Sequence, residues 1–188
     1  MKKSKVFYFC IAVGAAVGAA GKVTRKRQIK AEKEGTHIPY GVYEAVIKEP
    51  LDMILAGMAL IVLSPVMVLV ALLVKIKLGS PILFLQNRPG LNEKIFKILK
   101  YRTMANSRNA NGELLSDEIR LTPFGKILRS TSLDELPELI NILKGEMAIV
   151  GPRPQLVRDM VFMKQAHRKR HEVKPGLTGL AQVNGRNG

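Results

Sequence analysis

The stretch Met53–Val74, MILAGMALIVLSPVMVLVALLV, decides the fold class, because its 22 residues carry no charge. As a straight helix it is about 33 Å long, enough to cross the hydrocarbon core of a bilayer. Ser64 and Pro65 lie at its middle, where the proline removes a helical hydrogen bond and predicts a kink. Two interpretations stay open, a kinked spanning helix and a re-entrant hairpin that enters and leaves by the same face. The basic residues that flank the run on both sides, and so favour neither, are Lys48, Lys75 and Lys77.

A second apolar segment, Val6–Gly21, lies near the N-terminus and has 16 uncharged residues. It is typical of a secretory signal or of a retained anchor. We favour the anchor, because the denser basic cluster follows the segment and basic flanks stay cytoplasmic. The predicted domains are therefore an anchor (1–21), a basic linker (22–47), a membrane helix (48–78) and a C-terminal domain (79–188).

The charge of the chain is strongly positive, with 30 Lys and Arg against 15 Asp and Glu. Such an excess predicts an anionic partner, which could be nucleic acid, anionic lipid or a phosphorylated substrate. Six Phe, four Tyr and no Trp provide few stacking platforms for single-stranded nucleic acid. Together with the long apolar runs, this composition favours a membrane surface. The single cysteine, Cys10, excludes an intrachain disulfide.

The region after the apolar helix mixes short strand and helix patterns. Pro81–Gln86 reads as a strand, and apolar residues at helical spacing predict a helix over Leu136–Leu143 that ends at Lys144-Gly145. Leu156–Glu172 is amphipathic, which predicts a helix that lies either in a bilayer interface or on the domain core. The expected fold is thus an α-rich α+β, membrane-associated protein with amphipathic interfacial helices.

Two adjacent acids, Asp134 and Glu135, stand in the run RSTSLDELPELINILKGEM, Arg129–Met147. Ser132 and Glu135 have the spacing of a helix capping box. Pro137, however, would then fall inside the helix, so the helix more naturally begins at Asp134 or later. A carboxylate pair at a helix start, near cations, suggests phosphoryl chemistry with a divalent metal. The alternative is a capped helix with solvated charges.

Three blocks in order resemble the bacterial sugar transferase family, the monotopic polyprenyl-phosphate phosphoglycosyl transferases. They are PILFLQNRPGLNEKIFKILKYRTM, LTPFGKILRSTSLDELPELINILKGEMAIVGPRP and VKPGLTGLAQVNGR. A Ser-Pro-broken apolar segment precedes them, and the resemblance runs from about Lys48 to Arg186. It implies the re-entrant hairpin for Met53–Val74, with both ends cytoplasmic.

The resemblance also implies an activity at a bacterial inner membrane, on its cytoplasmic face. Such enzymes move a sugar-1-phosphate from a UDP-sugar to undecaprenyl phosphate and release UMP, using Mg²⁺, in the first membrane step of surface glycan assembly. By this resemblance Asp134 is the nucleophile that forms a covalent phosphosugar-aspartate. Glu135 assists by positioning, proton handling or metal contact, and Asp134 and Glu135 are the expected metal ligands. The residues expected to bind phosphate are Arg129, Arg153, Lys100, Arg102 and Arg186.

The expected partners are the UDP-sugar, undecaprenyl phosphate and anionic membrane lipids, without nucleic acid. The chain departs from the family's minimal unit by an extension before Lys48 and by stopping at Gly188. A truncated, inactive membrane-attached fragment or scaffold that keeps the motifs is therefore the alternative function. A basic nucleic-acid binder is the other rival.

Overall fold

A computed structural model describes residues 16, 18–31, 33 and 41–185 of the chain. They fall into two compact units, which divide between Asp52 and Met53. In the first unit, residues 18–31 form helix α1, and Tyr43–Ile47 forms a π-helical turn. Most of the predicted anchor, Val6–Gly21, lies outside the described residues, and the anchor stays a prediction.

Helix α2, Lys48–Leu78, contains the long apolar stretch. Of the helices within the described residues, it is the one long and apolar enough to cross a membrane. Only 11% of its most apolar 18-residue stretch is buried within the protein. The helix continues without interruption through Pro65, so the predicted break at Ser64-Pro65 is not confirmed. The Ser64 hydroxyl donates to the carbonyl of Ile61 at 2.8 Å. Since Pro65 has no N–H for that carbonyl, this bond replaces the missing helical one.

The second unit combines short strands with short helices, which confirms the helix-rich α+β class. Strands β1 (Leu83–Pro89) and β2 (Ile95–Tyr101) form an antiparallel hairpin, with Gln86 opposite Ile98. Strands β3 (Ala148–Val150) and β4 (Gly176–Thr178) pair in parallel. The helices are α3 (Asp117–Arg120), α4 (Pro123–Ser130), α5 (Glu138–Leu143), α6 (Gln165–Arg168) and α7 (Leu180–Val183).

Two apolar clusters place these elements along α2. The first joins Ala56 of α2 to β2 and α5, and its buried members are Ala56, Phe96, Ile98, Leu139, Ile142 and Met147. The second joins the C-terminal half of α2 to the end of β2 and to α4, and its buried members are Val70, Val74, Tyr101 and Leu128. The Tyr101 hydroxyl also donates to the carbonyl of Met67 at 2.9 Å. Both halves of α2 therefore pack on the core of one domain.

Asn141 fixes α5 on β2, although no sequence pattern singled it out. Its side chain is fully buried, accepts from the N–H of Leu99 at 3.0 Å and donates to the carbonyl of Lys97 at 2.8 Å. A buried amide with both ends bonded costs little, whereas an unbonded one would be expensive. Asn141 thereby sets the position of the turn that precedes α5.

The predicted continuous amphipathic helix over Leu156–Glu172 is wrong. The segment forms a 3₁₀ helix at Val157–Phe162, the short α6, and a 3₁₀ turn at Lys169–Glu172. The chain is extended at Lys164, with ψ of 152°. Arg168 contacts Glu93 at 3.3 Å and the Met160 carbonyl at 3.4 Å, and these polar contacts favour the bend over a regular helix. Apolar spacing does not report such contacts with distant residues.

Candidate functional site

Asp134 lies in a 3₁₀ turn, Leu133–Glu135, between α4 and α5. Ser132 has a left-handed backbone with φ of 55° and makes no capping bond through its side chain, so the capping box is absent. Helix α5 begins at Glu138 with Pro137 at its N-cap, which confirms the later helix start predicted from the proline. Asp134 is buried, with 7% of its surface exposed.

A four-membered ion cluster lies beside Asp134. The Lys100 ammonium of β2 lies 2.6 Å from Glu135 and 3.0 Å from Glu138, and the Arg153 guanidinium reaches Glu135 at 3.5 Å. Glu138 is only 3% exposed. Within the described residues, Asp134 forms no ion pair of its own. Lys100 thus pairs with both glutamates, and the Asp134 carboxylate has no direct cation among the described residues.

Burial raises the pKa of two of the acids, Glu138 and Asp134. Burial raises the pKa of Glu138 to about 7, an effect that Lys100 opposes and the nearby Glu135 carboxylate reinforces. Burial is also the largest cause that raises the pKa of Asp134, again opposed by Lys100 and reinforced by Glu135. Carboxyl groups with raised pKa values in a cleft are typical of functional sites.

An open cleft of about 1280 Å³ lies in front of Asp134 and Glu135. Arg129 of α4 is oriented by a bond from its Nε to the Thr103 hydroxyl at 3.0 Å. Gly125 allows this approach, because a Cβ there would come within 1.9 Å of the Thr103 carbonyl oxygen. The cations that line the cleft are Arg88, Lys100, Arg102, Arg120, Arg129 and Arg153.

The structure brings most of the predicted site residues to this cleft, in different roles. Asp134, Glu135, Arg129 and Arg153 line it together. Of the other residues predicted to bind phosphate, Lys100 and Arg102 also line the cleft, where Lys100 pairs with two glutamates and Arg102 donates to the Ser80 carbonyl at 2.8 Å. Arg186 lies outside the described residues.

Glu138 is the acidic residue that sequence reasoning missed. Its signal was a third acid four residues after Asp134, in a chain with only 15 Asp and Glu. Residues four apart on a helix share a face, but Pro137 made that helical phase uncertain before the structure was known. The long-range partner, Lys100, is 38 residues away in sequence, so no local pattern could have connected them.

The acidic groups could hold a divalent cation only together with a substrate. The described residues contain no group of three or more His, Cys, Asp or Glu side chains placed to hold a metal ion. Mg²⁺ commonly takes one or two carboxylates and completes its shell with substrate phosphates and water. Asp134 and Glu135 fit that lesser requirement, since both carboxylates line the cleft.

Comparison with known proteins decides the family. The family model described as bacterial sugar transferase matches residues 43–188, which is most of the chain. The chain belongs to the bacterial sugar transferase family. The match includes α2, the cleft and both members of the acidic pair.

Several curated members of this family are similar over the same region. The uncharacterized sugar transferase EpsL of Bacillus subtilis is 45% identical over 142 residues, covering 76% of this chain and 70% of EpsL. The UDP-glucose:undecaprenyl-phosphate glucose-1-phosphate transferase of Klebsiella pneumoniae is 41% identical over 152 residues, covering 78% of this chain and 33% of that protein. The UDP-N-acetylgalactosamine-undecaprenyl-phosphate N-acetylgalactosaminephosphotransferase of Aeromonas hydrophila is 37% identical over 157 residues, covering 79% of this chain and 36% of that protein. The chain therefore spans about a third of the length of these two transferases.

The titration of Glu138 predicts a pH effect on stability. Because the pKa of Glu138 is raised from 4.5 to about 7, the folded state binds more protons than the unfolded state in that window. Unfolding free energy should therefore fall as pH rises from 4.5 to 7, by on the order of 2 kcal/mol from this group. We expect Glu138→Gln to remove that fall, measured by thermal unfolding in detergent across pH 4.5 to 8. Parallel wild-type and variant profiles would contradict the assignment.

Proposed function

We propose that this chain is a phosphoglycosyl transferase. It moves a sugar-1-phosphate from a UDP-sugar to undecaprenyl phosphate and yields undecaprenyl-diphospho-sugar and UMP, in the first membrane step of surface glycan assembly. The observation that carries the proposal is the buried Asp134 carboxylate at a cleft whose charged lining residues are six cations and three acids. The names of two relatives, which specify undecaprenyl phosphate and sugar-phosphate transfer, support the same chemistry.

The proposed reaction has two displacement steps at one phosphorus. In the first, an oxygen of Asp134 forms a bond to the phosphorus next to the sugar, and the bond from that phosphorus to the bridging oxygen breaks. UMP leaves with the electron pair. In the second, an oxygen of undecaprenyl phosphate bonds to the same phosphorus, and the aspartyl oxygen leaves as a carboxylate. Two displacements at a phosphoryl group whose charge is neutralised thereby replace one direct displacement between two anionic substrates.

The neighbours of Asp134 divide the electrostatic roles. Arg129 and Arg153 line the cleft and offer guanidinium donors that match phosphate oxygens. Lys100 stays with Glu135 and Glu138, so it leaves the Asp134 carboxylate free to attack. Asp134 and Glu135 would hold Mg²⁺, which would neutralise charge on the transferring phosphoryl group.

The packing of α2 supports a monotopic placement on the cytoplasmic face of a bacterial inner membrane. Ala56 and Val74, on the two halves of the helix, are both fully buried against the domain. A helix supported by one domain along both halves is poorly placed to carry its middle to the opposite leaflet. Its outer face is apolar and suits lipid, with exposures of 76% for Ile61, 74% for Val62 and 78% for Ile76. Anionic headgroups suit the net charge of +15.

The monotopic placement predicts that both ends of α2 stay inside the cell. We expect Lys77→Cys to resist an impermeant thiol reagent in intact cells and to react after the cells are opened. Because Cys10 is the single native cysteine, Cys10→Ser provides a clean background. Labelling of Lys77→Cys from outside would rule out the monotopic placement and indicate a spanning helix.

The activity itself is tested by release of UMP. The full chain, in detergent or in vesicles, is incubated with undecaprenyl phosphate, Mg²⁺ and each of several UDP-sugars. We expect UMP and a lipid-linked sugar diphosphate with at least one donor. A well-folded preparation that releases no UMP from any donor would favour the inactive scaffold, and salt-sensitive binding of duplex DNA would favour the nucleic-acid binder.

A further inference from the structure

The loop that carries Arg153 is held by bonds to its backbone. Arg170 donates to the carbonyl of Arg153 itself at 2.8 Å, and Arg88 donates to the next carbonyl, that of Pro154, at 3.0 Å. The Arg153 side chain is 47% exposed and touches Glu135 only at 3.5 Å. Its direction is therefore set more by the bonded backbone beneath it than by its own contacts.

Arg170 and Arg88 differ in their position relative to the cleft. Arg88 lines the cleft and can contact a bound molecule directly, whereas Arg170 is not among the lining residues. Burial lowers the pKa of Arg170, and the charge is retained because an arginine titrates far above neutral pH. Any influence of Arg170 on the cleft must therefore pass through the Arg153 loop.

Glu93 anchors the segment from which Arg170 projects. Its carboxylate lies 3.3 Å from Arg168, two residues before Arg170, and 3.3 Å from Nδ1 of His171, which directly follows Arg170. His171 is buried, with 6% exposure. The anchor thus holds the chain on both sides of Arg170.

The backbone at Glu93 is in an uncommon conformation. Asn92 and Glu93, at the tip of the β1–β2 hairpin, have φ of 52° and 61°. Such a conformation is disfavoured for residues other than glycine and persists where surrounding contacts determine it. The two contacts of the Glu93 carboxylate, with Arg168 and His171, are contacts of this kind.

We propose that Arg170, anchored through Glu93, is a positioning residue that holds the Arg153 loop so that the Arg153 guanidinium binds substrate phosphate in the cleft. This inference rests on the proposed function, because it takes the diphosphate of a UDP-sugar as the ligand. It extends the site from the hairpin tip, through the 164–172 segment, to the cation that faces the cleft.

The test measures the affinity of the full chain for UDP, with Mg²⁺ present, by calorimetry in detergent. Loss of one hydrogen bond to a charged group predicts that Arg170→Ala weakens UDP binding about five- to tenfold. Glu93→Gln should weaken it in the same direction. In an Arg153→Ala background, either change should alter affinity less than about twofold, since the group they position is gone.

Arg158→Ala is the matched control, because this arginine is 82% exposed and its ion pair, to Asp159, is at 3.7 Å. It should bind UDP as the wild type does. If the wild type binds UDP and Arg170→Ala binds it equally well, the inference is overturned and the proposed function stands. Equal losses from Arg170→Ala with and without Arg153 would also overturn it, since they would indicate a merely structural role. A wild type that does not bind UDP would overturn both.

Discussion

Asp134→Asn should reduce turnover by at least about 10³-fold, because an amide cannot supply the attacking carboxylate oxygen. The asparagine keeps the shape of the aspartate. It also removes a charge whose burial raises the carboxyl pKa, so folding should persist. The measurement is the initial rate of UMP release, together with a search for a labelled phosphosugar adduct after denaturation.

Asp159→Asn is the control for this variant. Asp159 is a half-exposed aspartate in the 3₁₀ helix Val157–Phe162 and does not line the cleft, so the change should leave the rate unaltered. If Asp134→Asn kept turnover within about tenfold of the wild type, a range too small for loss of a nucleophile, the aspartyl intermediate would be untenable.

Lys100→Met should produce the second large effect, on stability as well as on activity. It leaves the carboxylates of Glu135 and Glu138 without their shared cation, although both are mostly buried. Removing one partner of a buried ion pair costs about 3 kcal/mol of unfolding free energy. The loss should be smaller at pH 5 than at pH 8, because Glu138, with a pKa of about 7, is then neutral and needs no partner.

Denaturant unfolding in detergent at the two pH values measures this effect. Lys97→Met is the matched control, since Lys97 stands on the same strand and is exposed. Lys100→Arg should recover much of the stability, because it restores the positive charge. A Lys100→Met protein as stable as the control at pH 8 would contradict the proposed ion cluster.

At the acidic site, the position of a proline predicts the helix start but not the long-range contacts. Pro137 forced the helix start beyond Ser132, and α5 indeed begins at Glu138. The same local reasoning could not connect Lys100 with Glu138, because the antiparallel hairpin and the α5 contact bring them together. It predicted that Lys100 binds phosphate, and it did not foresee the two carboxylates with which Lys100 pairs at the cleft.

The amphipathic segment shows the opposite outcome. Its apolar spacing predicted one helix over Leu156–Glu172, but Glu93, far away in sequence, contacts two of its basic residues. Hydrophobic periodicity records which face avoids water, and it carries no information about a carboxylate presented by a hairpin tip. The bend in this segment is therefore a tertiary effect.

By itself, the sequence determined that the chain has a long apolar helix, a positively charged domain and an acidic pair that ends two residues before a proline. These follow from composition and local backbone chemistry, which act over a few residues. The tertiary structure alone decided that α2 packs on the domain along both halves, and that Glu138 joins the site. It also decided that Arg153 is held by its backbone. Each of these depends on contacts between residues far apart in the chain, whose partners are chosen by packing and by the need to pair buried charges.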